Sequence, residues 1–104
     1  MQSVKILIAG GGIGGLTAAL CLQRAGYEVQ IFEQAPELFE TGAGLQCGAN
    51  AVRVLDYLGL MPMLAEVAVQ PLRADFREYC SGEVLYSTSF GESYVKKFGA
   101  PYLH

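Results

Sequence analysis

Five of the thirteen glycines fall within six positions, in the run Gly10-Gly11-Gly12-Ile13-Gly14-Gly15. Glycine weakens helix and strand interiors because it has the most backbone freedom to lose. Such density therefore marks a tight turn. On one side stands Val4–Ala9, short, apolar and rich in β-branched residues, as expected of a strand buried on both faces. On the other side Ile13–Ala25 predicts a helix. Gly15, Ala19, Leu22 and Gly26 recur along one stripe of it, and their small members let the helix lie close against a sheet. Gly26 ends the helix as a glycine at C′ should. Glu28–Glu33 alternates and is rich in β-branched and aromatic residues, so it predicts a second strand. Strand, helix and strand within about thirty residues form a βαβ unit, which implies parallel strands and a right-handed crossover.

In that setting the order Gly10-x-Gly12-x-x-Gly15 has a chemical meaning. The first glycine permits the turn, the second lets backbone approach a pyrophosphate, and the third allows close helix–sheet packing. N–H groups at the helix start, and the helix dipole, favour the phosphate charge. Glu33 ends the second strand eighteen residues beyond Gly15, where a carboxylate accepts hydrogen bonds from a ribose. The competing reading is a glycine-rich turn with Glu33 as a solvated strand end. Context favours an adenine dinucleotide on Gly10, Gly12, Gly15 and Glu33. The fingerprint does not separate FAD from NAD; Glu33 disfavours only the 2′-phosphate of NADP.

Beyond the unit, 35–41 reads as a loop, 42–47 as a glycine-containing extended piece, and 51–58 as a helix capped by Asn50 and ended by Gly59. Pro62 opens a short helix to about Ala68. Leu72–Tyr79 and Glu83–Phe90 flank Ser81-Gly82, a two-residue hairpin signal. Residues 91–104 read as a loop. At 104 residues the chain suits one domain, and 52% hydrophobic content with a net charge of -3 excludes disorder and argues against a nucleic-acid partner. The charge-free stretch 6–22 imitates a signal peptide, but its glycines make a poor membrane helix, and no membrane span is expected. Cys21, Cys47 and Cys80 are odd in number and widely spaced, and only His104 could join them. No metal site or disulfide framework is expected, and reduced thiols fit a cytoplasmic protein.

The segments "GGGIGGLTAALCLQRAGYEVQIFEQ" and "GAGLQCGANAVRVLDYLGL" together resemble the N-terminus of the single-component aromatic-ring flavin hydroxylases. The similarity is greatest to the salicylate and 3-hydroxybenzoate 6-hydroxylase group. It extends loosely over "SGEVLY" and "FGAPYLH", the latter resembling the stretch before a flavin-contacting arginine in an HR motif. The resemblance implies a Rossmann-like FAD-binding part over 1–70. Residues 71–104 would then be an incomplete part of the substrate-side sheet, carrying the hairpin. It places Gly10, Gly12, Ile13, Gly14 and Gly15 on the FAD pyrophosphate, and Glu33 with Gln34 at the adenosine ribose. Gly42, Ala43 and Gly44 would pass near the ribityl chain and flavin ring. Ala49 stands where the family often has proline. For Asn50 a helix cap is favoured over a ligand contact, and for Arg53 a solvated face over a flavin contact.

The implied reaction uses NADH or NADPH to reduce FAD. O₂ then adds at flavin C4a, and the hydroperoxide hydroxylates a small aromatic substrate. The family's HR, DG and GD motifs fall beyond His104, so catalytic residues are unknown and the chain resembles the opening quarter of an enzyme. No nucleophile–base pair or carboxylate pair suggests other chemistry, and His104 reads as a loop or strand residue. One alternative is another FAD oxidoreductase, of the ubiquinone-pathway hydroxylase type. The "GAGLQ" to "NAVRVL" stretch argues against an amine oxidase. The other is a truncated, non-catalytic product. An isolated fragment of this kind, with an unpaired strand edge, is expected to self-associate.

Overall fold

A computed structural model describes residues 4–39 and 44–104. The chain divides into two compact units, Met1–Gly42 and Ala43–His104.

In the first unit, β1 (Lys5–Ala9), α1 (Ile13–Arg24) and β2 (Glu28–Phe32) follow in order. The strands pair in parallel from Lys5 opposite Glu28 to Ala9 opposite Phe32, so the βαβ reading holds. The Gly10 N–H extends the ladder, donating to the Phe32 carbonyl at 2.7 Å. Gly10 itself turns the chain at φ +108°, a conformation that glycine adopts without a steric penalty. At the start of α1 the backbone returns so close that a Cβ on Gly15 would lie 2.1 Å from the Gly10 carbonyl oxygen. The third glycine of the fingerprint is thus a packing requirement.

At its other end α1 closes with the Tyr27 N–H on the Leu22 carbonyl and the Gly26 N–H on that of Gln23. Gly26 takes φ +94°, completing a Schellman cap. Ala19 is buried, whereas Leu7 on β1 remains 61% exposed. The expectation of a strand buried on both faces is therefore corrected. Among the described residues one helix covers this two-stranded sheet, and it covers one face.

The second unit holds α2 (Ala49–Tyr57), α3 (Met61–Val67), the antiparallel hairpin β3 (Arg73–Arg77) and β4 (Val84–Ser89), and α4 (Glu92–Phe98). Its core is Val52, Ala49 and Ala100, with Cys47, Met61, Tyr94 and Leu103 packed around them. Gly59 ends α2 at φ +78°, and Pro62 lies in the first turn of α3, both as expected.

Three expectations are corrected here. Gly48, not Asn50, is the N-cap of α2, and the Tyr94 hydroxyl accepts the Ala49 N–H at 3.1 Å in place of a local side chain. The hairpin closes through Glu78 and Glu83 around four residues rather than two, with Gly82 at φ +74° and a bulge between Phe76 and Arg77. Residues 92–98 are helical rather than loop. Glu92 lies in the first turn, Lys96 and Lys97 in the last, and Gly99 ends the helix at φ +80°. These charges suit the helix dipole. The terminal residues then join the unit as bridges, Leu103 to Cys47 and His104 to Val69.

The two glycines inside α1 should respond in opposite ways. Gly15→Ala forces a side-chain atom onto the Gly10 carbonyl and should destabilise the chain by about 1–3 kcal/mol or more. At Gly14 no atom lies within 4 Å of an added Cβ, so Gly14→Ala should stabilise α1 by about 0.5–1 kcal/mol. Urea midpoints of the two variants check the pair; equal shifts of the same sign would contradict the geometry.

Candidate functional site

Gly12 is the N-cap of α1, and being glycine it offers no side-chain cap. The first turn carries no acidic residue that could neutralise the helix end. The N–H groups of Ile13, Gly14 and Gly15 consequently have no intrahelical partner and point out of the helix start. A Cβ added at Gly12 or at Gly14 would meet no atom within 4 Å, so the backbone there is open on its outer side. Uncapped donors, an unopposed dipole and clear space are the features by which a helix start can receive an anion.

The end of β2 reaches this turn. One oxygen of Glu33 accepts the Gly11 N–H at 3.0 Å, and the other accepts the Ala35 N–H at 2.9 Å. Hydrogen bonds from Ala35, then Gly11, hold the carboxyl below its ordinary pKa of 4.5. Gly11 is buried, and a Cβ there would come within 3.2 Å of both the Glu33 Cβ and the Leu38 Cδ2. The segment following β2 thus folds over the glycine run. Sequence reasoning passes over Gly11, because the fingerprint counts the first, third and sixth positions. Its signal is the unbroken Gly-Gly-Gly itself.

The structure brings Gly10, Gly12, Ile13, Gly14, Gly15 and Glu33 together in the first unit, with Gln34 exposed beside Glu33. Gly42 and Ala43 lie outside the described residues. Gly44 belongs to the second unit, where an added Cβ would approach His104 Nε2 to 2.8 Å. Asn50 and Arg53 are exposed on α2.

The second unit carries a cleft of its own, about 380 Å³, bordered by Arg73, Phe76, Thr88, Phe90, Tyr102 and His104 among others. Phe90 and Tyr102 stack at 4.1 Å between ring centroids, and the Tyr102 hydroxyl donates to Gln46 at 2.7 Å. Arg73 and Arg77 both pair with Asp75, which also accepts from the Ser87 hydroxyl at 2.7 Å. The two ion pairs run along β3, and the Ser87 bond crosses to β4 at the Asp75–Ser87 pair of the hairpin. Among the described residues no cluster of His, Cys, Asp and Glu has the makings of a metal site, and no helix is long and apolar enough to cross a membrane.

A parallel βαβ unit with an uncapped glycine turn and an acidic strand end defines a nucleotide-binding α/β domain. The chain belongs to the NAD(P)-binding Rossmann-like domain family, whose model matches residues 8–66. It is 42% identical over 99 residues to 3-hydroxybenzoate 6-hydroxylase of Polaromonas naphthalenivorans (strain CJ2), covering 95% of this chain and 25% of that protein. It is 36% identical over 102 residues to 6-hydroxynicotinate 3-monooxygenase of Pseudomonas fluorescens, covering 98% of this chain and 26% of that one. Among solved structures it is similar to Klebsiella pneumoniae HpxO complexed with FAD and uric acid. That match has a TM-score of 0.74 and 29% identity, covering 95% of this chain and 24% of that one. The chain thus spans about a quarter of the length of the relatives it matches.

The depressed Glu33 carboxyl fixes the sign of one pH effect. Its two hydrogen bonds stabilise the fold fully above 4.5, and that contribution disappears as pH falls through the lower folded-state value. The stability gap between the wild-type chain and Glu33→Gln should therefore close on acidification below 4.5. Urea midpoints across that window measure it, and a pH-independent gap would contradict the bonding.

Proposed function

We propose that this chain is the FAD-binding N-terminal portion of an NAD(P)H-dependent flavoprotein monooxygenase that hydroxylates a small aromatic substrate with O₂. The observation that carries the reading is the uncapped glycine turn at the start of α1, open over Gly12 and Gly14. The relatives named above, two hydroxylating enzymes and an FAD complex, support the choice of FAD over NAD as the resident nucleotide. FAD, when bound, supplies the redox and oxygen-activating chemistry.

This chain's residues hold and orient it. Gly10, Gly12, Ile13, Gly14 and Gly15 receive the pyrophosphate through backbone N–H groups and the helix dipole. Glu33, with Gln34 beside it, takes the adenosine ribose, for which each carboxylate oxygen keeps accepting capacity beyond its present bond. The resemblance to the flavin hydroxylases would place Gly42, Ala43 and Gly44 near the ribityl chain and flavin ring. The three free thiols support a cytoplasmic setting.

Gly12 allows a test that separates binding from folding. Its φ of -77° suits any residue, and an added Cβ meets nothing within 4 Å. Gly12→Val should keep the fold to within about 1 kcal/mol. It should weaken FAD binding by about two decades or more, because the side chain fills the space the phosphate needs. The readout is FAD titration alongside urea unfolding. Unchanged FAD affinity in the folded variant would reject the site.

The isolated chain should not act as a monomeric enzyme. Val4, Leu7 and Phe32 expose apolar surface on a sheet of two strands, and β1 has a free edge among the described strands. Light scattering after size-exclusion chromatography should show self-association. A monomer that binds FAD tightly and oxidises NADH would overturn this.

A further inference from the structure

We propose that Glu33 is a positioning residue for the glycine turn, holding it in the shape that receives phosphate whether or not a ribose is present. The proposal rests on the dinucleotide reading above and adds a role to the same carboxylate. The Gly11 N–H is the donor at 3.0 Å, and it belongs to a buried residue between the turning Gly10 and the N-cap Gly12. The second oxygen accepts the Ala35 N–H at 2.9 Å, which holds the carboxylate from its own strand end. Glu33 is thereby anchored at both oxygens, and the carboxylate links the end of β2 to the middle of the turn.

The physical need for such an anchor lies in the sequence. A run with five glycines in six positions has more conformational freedom to lose than any other stretch of the chain. Donors aimed at an anion are most effective when the ordering cost is met before the ligand arrives. Without Glu33, the part-buried Gly11 N–H would lose its acceptor, which loosens the turn at that point. A Cβ at Gly11 would crowd the Glu33 Cβ and Leu38 Cδ2 at 3.2 Å, so a larger residue there requires those side chains to shift by a few tenths of an ångström. Packing and hydrogen bonding therefore point to the same joint.

Two readouts on the intact chain test this. The first uses no ligand. Hydrogen exchange at the Gly11 amide should speed by about tenfold or more in Glu33→Ala, with α1 amides beyond Ala19 unaffected as an internal control of folding. Glu33→Gln, which keeps one acceptor, should fall between. The second compares FAD with riboflavin 5′-pyrophosphate, which carries the pyrophosphate but no adenosine ribose. Glu33→Ala should weaken riboflavin 5′-pyrophosphate by about tenfold or more through the turn alone, and FAD by more than that, because FAD also loses the ribose contact. If FAD alone weakens, Glu33 serves only the ribose and the proposal is overturned. If the wild-type chain binds neither compound, the dinucleotide reading fails. The Gly11 exchange rate then decides the positioning role alone, and an unchanged rate overturns it.

Discussion

The close approach of Gly15 to the Gly10 carbonyl is the constraint on which the first unit depends. With 2.1 Å available to a would-be Cβ, the start of α1 can lie against the end of β1 only if the residue there has no side chain. That contact sets the direction of α1, and α1 in turn covers one face of the parallel pair. It also leaves the first turn of the helix facing outward just beyond the strand end, with its N–H groups unspent. The packing requirement and the open, uncapped helix start are thus consequences of one backbone path. The same path runs through Gly10 at φ +108°, where a side chain would be strained even though no neighbour obstructs it.

The charge arrangement around the turn is consistent with that role. No acidic side chain lies in the first turn of α1, although an N-terminal Asp or Glu would ordinarily stabilise a helix. The nearby carboxylate, Glu33, instead has both oxygens turned to backbone donors at Gly11 and Ala35. Those bonds direct both carboxylate oxygens to neighbouring backbone rather than to the N–H groups that open α1.

The βαβ unit is legible in the sequence because its signals are local and reinforce one another. Strand pattern, glycine fingerprint, small-residue stripe and Gly26 all give the same answer, and α1, β1 and β2 follow to within a residue. The second unit is less legible because distant residues settle it. Tyr94 supplies the cap of α2 from 45 residues away, so the local candidate Asn50 is displaced by a contact no spacing rule contains. The helix at 92–98 has polar and aromatic residues in place of a clear apolar stripe. Only Glu92, the two lysines and Gly99 mark its ends. In the candidate site, the placement of Gly10, Gly12, Gly15 and Glu33 around one turn is readable from spacing. The buried place of Gly11 is not, because it depends on how the segment after β2 folds back over the turn.

The most direct measurement of the central claim is an amide-resolved NMR titration of the chain with FAD. Saturable shifts concentrated at Gly12, Ile13, Gly14 and Gly15, with a second group at Gly11 and Glu33, are the result this account predicts. Saturable binding that leaves those amides unmoved, or no binding at concentrations where the Rossmann-like unit is folded, would contradict it.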